Sequence, residues 1–176
     1  MQKSTKYVIG FVSAGLILMI IFRKQIIKFT KMAIALNINI MKSALEDLGI
    51  KETPGTVNNE KIVQYFKDVG YSWVQDDETS WCTAFLGAVL KRAGAIYLKT
   101  LRARDYLNYP NAVTSPKKGD IAIFSRTSDP VYGHVGFYIS ETQDEVKVLG
   151  GNQADKVGYM GISKSRLLGY RRPQRA

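Results

Sequence analysis

The sequence is poor in thiol and imidazole groups, with one cysteine, Cys82, and one histidine, His134, in 176 residues. A single cysteine cannot form an intrachain disulfide, so the fold has to depend on an apolar core, which a hydrophobic share of 45% can supply. One cysteine and one histidine are also too few for an ordinary structural zinc site. We therefore expect no metal and no cofactor, and the thiol is either a small buried apolar group or a reactive one.

Acidic residues are absent from the first part of the chain. Residues 1–42 contain seven of the 25 basic residues and none of the 15 acidic ones, so the net charge of +10 belongs largely to this segment. The sequence has no zinc-finger spacing, no aromatic RNA-binding signature and no glycine-rich phosphate loop. Bulk charge alone does not indicate a nucleic-acid-binding protein, so we expect no nucleic acid among the partners.

A long uncharged apolar run occurs at residues 7–22, YVIGFVSAGLILMIIF. As a helix it would be about 24 Å long, slightly shorter than a hydrocarbon core of about 30 Å. Flanking basic side chains can snorkel, and Ile26 and Ile27 can extend the run. A cleaved signal peptide is the alternative, but no small-residue cleavage site follows the run. We predict a transmembrane anchor over residues 1–23.

Basic residues recur at helical spacing after this run, at Lys24, Lys28 and Lys31. Residues 24–42 are therefore predicted to form a basic amphipathic helix or linker, whose apolar side faces either an anionic lipid surface or the folded domain. By the positive-inside rule, the basic residues after the run weakly favour a cytoplasmic C-terminal side. The apolar positions on the other side of the helical wheel are Ile27, Ile34, Ile38 and Met41.

Residues 43–176 are predicted to form one α+β domain. Helix signals come first, over NNEKIVQYFKDVG and SWCTAFLGAVLKRAG, each with an apolar stripe and a glycine at its end. Asn58 or Asn59 can cap the first helix, and Thr79 or Ser80 can cap the second. Strand signals follow in DIAIF, HVGFYIS, EVKVLG, VGYMGI and LLGYRR. Helices followed by such strands predict helices packed on a mainly antiparallel sheet.

The position of Cys82 at the start of the second helix suggests chemistry. Unpaired backbone N–H groups and the helix dipole favour an anion there, and a neighbouring imidazolium would lower the thiol pKa further. The alternative is that Cys82 is one more core residue beside Phe85 and Val89.

Two more polar residues sit where a sheet could bring them to this thiol. His134 opens an apolar strand that is predicted to be the middle one of a three-strand meander. Asn152 follows the next strand in LGGNQ, and its amide oxygen could accept a hydrogen bond from the imidazole and orient the ring. Each residue alone could be structural, His134 as an ordinary strand residue and Asn152 as a turn residue. Their position on adjacent strands is the argument for a shared site.

Four blocks in this order, DETSWCTAFLGAVLKRAG, KKGDIAIF, GHVGFYI and VLGGNQ, resemble the NlpC/P60 and CHAP superfamily of papain-like cysteine peptidases and amidases. The resemblance runs from about Leu45 to Pro173 and is strongest to the short subgroup with paired WC and GGNQ signatures. It implies a papain-like fold in which Cys82 is the nucleophile, His134 the general base and then acid, and Asn152 the orienting group. Many CHAP members carry a glutamate two positions before this asparagine, where the present chain has Gly150.

The resemblance also implies a substrate, the peptide part of peptidoglycan, cut at an amide or peptide bond. Together with the anchor at residues 7–22 it suggests a single-pass membrane protein whose catalytic domain faces the cell wall, or a phage lysis or virion enzyme in a membrane. The weak cytoplasmic preference of the basic residues conflicts with this orientation. Two alternatives stay open, a lipid acyltransferase that forms a thioester on its cysteine, and a non-catalytic membrane-anchored binding or assembly protein.

Overall fold

The structure, a computed structural model, describes the backbone of residues 4–55 and 57–176 and the side chains of residues 15–55 and 57–176. The chain divides into two compact units, the first ending at Ala35 and the second comprising Leu36–Ala176. The α1 helix, Ser4–Leu45, contributes its last turns to the second unit. All functional residues predicted from the sequence lie in that second unit.

The apolar run predicted as an anchor lies only partly within the described residues. Residues 7–14 fall outside the part whose side chains are described. Within the described part, no helix combines the length and the apolar character needed to cross a membrane. The predicted transmembrane helix is therefore not confirmed. Residues 15–35 of α1 are exposed, including the apolar positions Ile27 and Ile34.

The end of α1 belongs to the hydrophobic core of the second unit. Leu36, Ile40, Met41 and Ala44 are all buried there. Among the apolar positions predicted to share one helix side, Met41 is in this core, whereas Ile38 is exposed. The compact unit thus begins at Leu36, before the predicted division after residue 42. The helical spacing of residues 24–42 predicts a helix, but it does not predict which turns of that helix pack on the domain.

Two short helices follow, as predicted. The α2 helix, Glu60–Asp68, is capped by Asn59, whose side chain accepts a hydrogen bond from the Lys61 N–H. The C-cap residue is Val69, and Gly70 follows it with a φ of 89°, which glycine readily adopts. The α3 helix, Cys82–Arg92, is buried along most of its length.

A six-stranded antiparallel sheet completes the domain and confirms the α+β prediction. The strand order is β1-β6-β2-β3-β4-β5, so the last strand lies between the first two. The meander predicted around His134 is present, since β3 pairs with both β2 and β4. The strands are β1 (Ala112–Val113), β2 (Ile121–Ser125), β3 (Gly133–Glu141), β4 (Glu145–Gly150), β5 (Gly158–Ser163) and β6 (Leu167–Arg171), and a 3₁₀ helix, Ala103–Asn108, precedes them.

The sheet has two covered faces, which we call the helix face and the far face. Residues on the helix face join the main core with α3; they include Ile123, Val135, Phe137 and Leu149. The far face carries a second apolar cluster formed by Ala122, Phe124, Val146, Val148, Ile162 and Tyr170. Side chains alternate between the two faces along a strand. The face of a strand residue outside both clusters therefore follows from its neighbours in the clusters.

Asp120, fully buried at the turn before β2, connects distant parts of the chain. Its carboxylate accepts hydrogen bonds from the Arg172 guanidinium at 2.8 and 3.2 Å and from the Lys117 N–H at 2.8 Å. The Asn37 amide, from the end of α1, donates to the Lys118 carbonyl at 3.0 Å. A buried carboxylate with charged and backbone donors is well stabilised, so this turn holds β2, the C-terminal segment and α1 together.

We predict that the domain tolerates removal of residues 1–35 but not of residues 1–42. The longer deletion removes Leu36, Ile40 and Met41 from the core, at about 1.5–3 kcal/mol for each buried side chain. Thermal unfolding of the 36–176 and 43–176 chains measures the difference. Equal melting temperatures for the two would show that these residues do not stabilise the fold.

Candidate active site

Cys82 occupies the first turn of α3 without a competing side-chain cap. The N-cap residue is Trp81, which makes no capping hydrogen bond through its side chain. The predicted caps, Thr79 and Ser80, do not serve, and the Thr79 N–H is held by the Asp76 carboxylate at 2.7 Å. The free N–H groups of this turn are therefore available to the sulfur, and the Thr83 N–H is one of its donors.

The sulfur of Cys82 also meets the strand that carries His134. The Tyr138 N–H donates to the Asp120 carbonyl on the β2 side, so by the alternation of an antiparallel ladder the Val135 N–H points toward β4. The β4 strand ends at Gly150. In the register that pairs Phe137 with Leu149, the counterpart of Gly150 on β3 is Gly136, so β4 has no residue opposite Val135. The Val135 N–H has thus passed the end of the ladder, and it donates to the Cys82 sulfur instead.

His134 precedes Val135 and lies on the far face of the sheet, opposite Phe124 on β2. The residue is half-buried, but its Nε2 atom is buried and has no hydrogen-bond partner among the described residues. The structure therefore brings the thiol to the backbone next to His134, but among the described residues no hydrogen bond joins the sulfur to the imidazole. The ring itself is not held by Asn152.

Asn152 lies just beyond the end of β4. The register that pairs Phe137 with Leu149, continued toward the start of β3, makes Asn152 the counterpart of His134. Its φ of 53° ends the strand in the left-handed region. The following loop is held in place by the segment before α2, since the Glu52 N–H donates to the Asp155 carbonyl at 2.8 Å.

Gly151 sets how closely this loop approaches α3. A Cβ atom on it would lie 2.5 Å from Trp81 Cζ3 and 2.6 Å from Phe85 Cβ, closer than such atoms can come. Trp81 is fully buried, and its indole N–H donates to the Glu52 carboxylate at 2.7 Å. The residue before Asn152 thus packs on the residue before Cys82.

The surroundings of Cys82 and His134 favour the uncharged forms of the thiol and the imidazole. Burial raises the pKa of the Cys82 thiol, against the smaller lowering effects of the Thr83 hydroxyl, the backbone donors and the Arg126 charge. Burial also lowers the pKa of His134 to about 4, assisted by the charges of Arg126 and Arg166. The sequence predicted a lowered thiol pKa from the helix start and an imidazolium, but desolvation outweighs the helix start here and the imidazole is neutral at pH 7.

Sequence reasoning missed three residues near these groups. Arg126 and Arg166 influence the His134 titration, and the signal for them is weak because each lies in a polar loop or turn. Gln153 is buried at 2% exposure although it follows two glycines and an asparagine, a pattern typical of an exposed turn. Its presence in the GGNQ block was the available signal.

Residues 73–152 match the family model described as CHAP domain. Over these residues the chain is similar to the CHAP domain. The matched residues run from before α3 to Asn152 and include the thiol, the imidazole and the amide discussed above. A CHAP domain indicates a cysteine-dependent amidase or peptidase, and the resemblance seen in the sequence is confirmed at this level.

A solved structure from Staphylococcus aureus, described as similar to lipoprotein, NLP/P60 family, is also similar to this chain. The match has 22% identity and a TM-score of 0.49, and it covers 78% of this chain and 41% of the other. This chain thus spans about two fifths of the length of that protein. A search of curated proteins finds no match.

We predict that Gly151→Ala damages the CHAP site. The added methyl group must push the β4 end away from Trp81 and Phe85, at a cost of about 1–3 kcal/mol, and it moves Asn152 with it. Gly158→Ala is the matched control, because a Cβ there meets only the Lys156 side chain at 3.7 Å. Thermal unfolding and wall hydrolysis compare the two variants, and equal behaviour would show that the close approach is unimportant.

We predict that alkylation of Cys82 by iodoacetamide accelerates as the pH rises above neutral. The raised thiol pKa leaves little thiolate at pH 7, and the reactive fraction grows about tenfold per pH unit below that pKa. Because Cys82 is the only cysteine, mass spectrometry of the intact chain measures the rate directly. A rate that is constant from pH 5 to 8 would instead indicate a thiolate–imidazolium pair.

Proposed function

We propose that this protein is a peptidoglycan hydrolase that cleaves an amide or peptide bond of the cell-wall peptide through Cys82. The observation that carries the proposal is the sulfur at an uncapped helix start, with the Thr83 and Val135 N–H groups directed at it. His134 directly precedes Val135. Backbone donors around a thiol stabilise the developing thiolate, as a nucleophile requires.

In the proposed reaction His134 takes the proton of the Cys82 thiol as the sulfur attacks the carbonyl carbon of the amide. The tetrahedral intermediate collapses when the carbon–nitrogen bond breaks, and the imidazolium gives its proton to the leaving amine. Water then attacks the thioester carbon and gives a proton to His134. The carbon–sulfur bond breaks and releases the carboxylic acid, and His134 returns the proton to the Cys82 thiolate. The Cys82 backbone N–H, at the helix start, is the proposed oxyanion donor.

The neutral ground state suits the first step. A base must be unprotonated before it can accept the thiol proton, and with a pKa of about 4 His134 is unprotonated at neutral pH. The Arg126 charge lowers the pKa of Cys82 and of His134 alike. This charge therefore favours the thiolate form of Cys82 and also keeps the His134 imidazole unprotonated.

We also propose that residues 7–22 anchor the protein in a membrane so that the domain faces the cell wall, in a bacterial envelope or in that of a phage or virion. The described part of this run supports the proposal, because Leu16 to Phe22 is a continuous apolar stretch of helix that is exposed to solvent. An exposed apolar stretch followed by basic residues is suited to a bilayer and its surface.

Cys82→Ala should abolish cleavage of purified cell walls, with a loss of at least about a thousandfold, and leave the fold intact. The substitution removes the nucleophile but little apolar area, so the free energy of unfolding should change by about 1 kcal/mol or less. Mass spectrometry of the released muropeptides identifies the bond that is cut. Thermal unfolding of the variant is the control for folding.

Retained hydrolysis in the Cys82→Ala variant would reject the mechanism. A lipid acyl-transfer assay on the same preparations separates the acyltransferase alternative, since a thioester formed on Cys82 would then pass to a lipid rather than to water. Activity in neither assay, with folded protein, would favour a binding protein.

A further inference from the structure

Few buried side-chain polar atoms lack a hydrogen-bond partner in the described structure, and most of these belong to two residues. Four such side-chain atoms occur, and three of them belong to two residues, Nε2 of His134 and the Nε2 and Oε1 atoms of Gln153. The fourth is the hydroxyl of Tyr65. Burying an unpaired polar group is costly, so each of these atoms calls for a physical reason.

The Gln153 amide lies on the same face of the sheet as His134. A Cβ atom on Gly150 would come within 2.2 Å of Gln153 Nε2, so the amide lies directly over this glycine. Gly151 faces Trp81 on the helix face, and by alternation Gly150 faces the far face. A side chain at position 150 would displace the amide.

His134 borders the same spot from the neighbouring strand. Gly150 is the counterpart of Gly136 in the register of β3 and β4, and His134 lies two residues before Gly136 on the same face. Diagonal neighbours of this kind are about 7–8 Å apart at the backbone, within reach of long side chains. The absence of a side chain at Gly150 therefore leaves room for the amide beside the strand that carries His134.

The backbone of the loop fixes the direction of Gln153. Its N–H donates to the Lys156 carbonyl at 2.9 Å, and the positive φ angles of Asn152, Ala154 and Asp155 fold the loop back on the strand end. The Val157 N–H donates to the Ile50 carbonyl at 2.7 Å and secures the other end. The backbone at Gln153 is therefore held in place on both sides.

We propose that Gln153 is the positioning residue of the site, with its Oε1 accepting a hydrogen bond from the Nε2–H of His134. The proposal rests on the proposed function, in which His134 is the base. The bond holds the neutral ring in the tautomer whose Nδ1 is free to take the thiol proton. The orienting role that the family resemblance implies for Asn152 then belongs to the next residue along the chain.

The single histidine of the chain makes the test direct. Long-range proton–nitrogen NMR of the ¹⁵N-labelled full-length protein at pH 7 reads the tautomer of one ring. The wild type is expected to show the Nε2–H tautomer. Gln153→Met, which keeps the length of the side chain but has no acceptor, should give a mixture of tautomers, lower kcat on cell walls at least tenfold and leave KM within twofold.

Two further variants separate positioning from packing. Gln153→Glu keeps an acceptor oxygen and should retain the Nε2–H tautomer and most of kcat. Gln143→Met makes the same replacement as the test variant at an exposed position in the turn between β3 and β4, and should match the wild type in both readouts.

An Nδ1–H tautomer in the wild type would overturn the proposal without any variant, even if Gln153→Met failed to fold. A tautomer that changes in Asn152→Gly but not in Gln153→Met would also overturn it, because Asn152 would then hold the ring. A wild-type chain that leaves cell walls intact but shows the tautomer change in Gln153→Met would refute the hydrolase function and retain the contact.

Discussion

The close approach of the β4 end to the start of α3 is the contact on which the site depends. Without a side chain at Gly151, the strand end packs directly on Trp81 and Phe85, the residues that flank the first turn of the helix. This contact places Cys82 where the ladder between β3 and β4 has ended, so that the Val135 N–H is left for the sulfur. The thiol, the strand that carries His134 and the polar loop are thus positioned by backbone features, which keep their geometry better than flexible side chains do.

The uncharged state of the thiol and the imidazole has the same origin. Two charges in this site would have to be desolvated together, and the attraction between them would have to repay that cost. Burial acts on the Cys82 and His134 pKa values in opposite directions, and both changes favour the neutral forms. In the proposed mechanism the thiolate forms during attack on the substrate, when polar groups of the substrate replace water in the site.

The local patterns predicted the elements well and the connections less well. Alternating apolar residues located five of the six strands, and the apolar stripe of α3 was clear from sequence. The cap of α3 was missed because Asp76 holds the Thr79 N–H in a turn, an interaction that needs the folded loop. The burial of Gln153 depends on left-handed backbone at Asn152, Ala154 and Asp155. Such a backbone is difficult to predict from sequence at residues other than glycine. The burial of Leu36 and Ile40 in the core reflects tertiary contacts rather than helical spacing.

The position of β6 in the sheet determines when the domain can complete its folding during synthesis. The final strand lies between β1 and β2, and Arg172, just after it, completes the shell around the buried Asp120 carboxylate. A ribosome-bound chain that has not yet exposed these residues lacks the neighbour of β2 and leaves that carboxylate without its cation. The domain therefore has to stay open until β6 and Arg172 have left the ribosome.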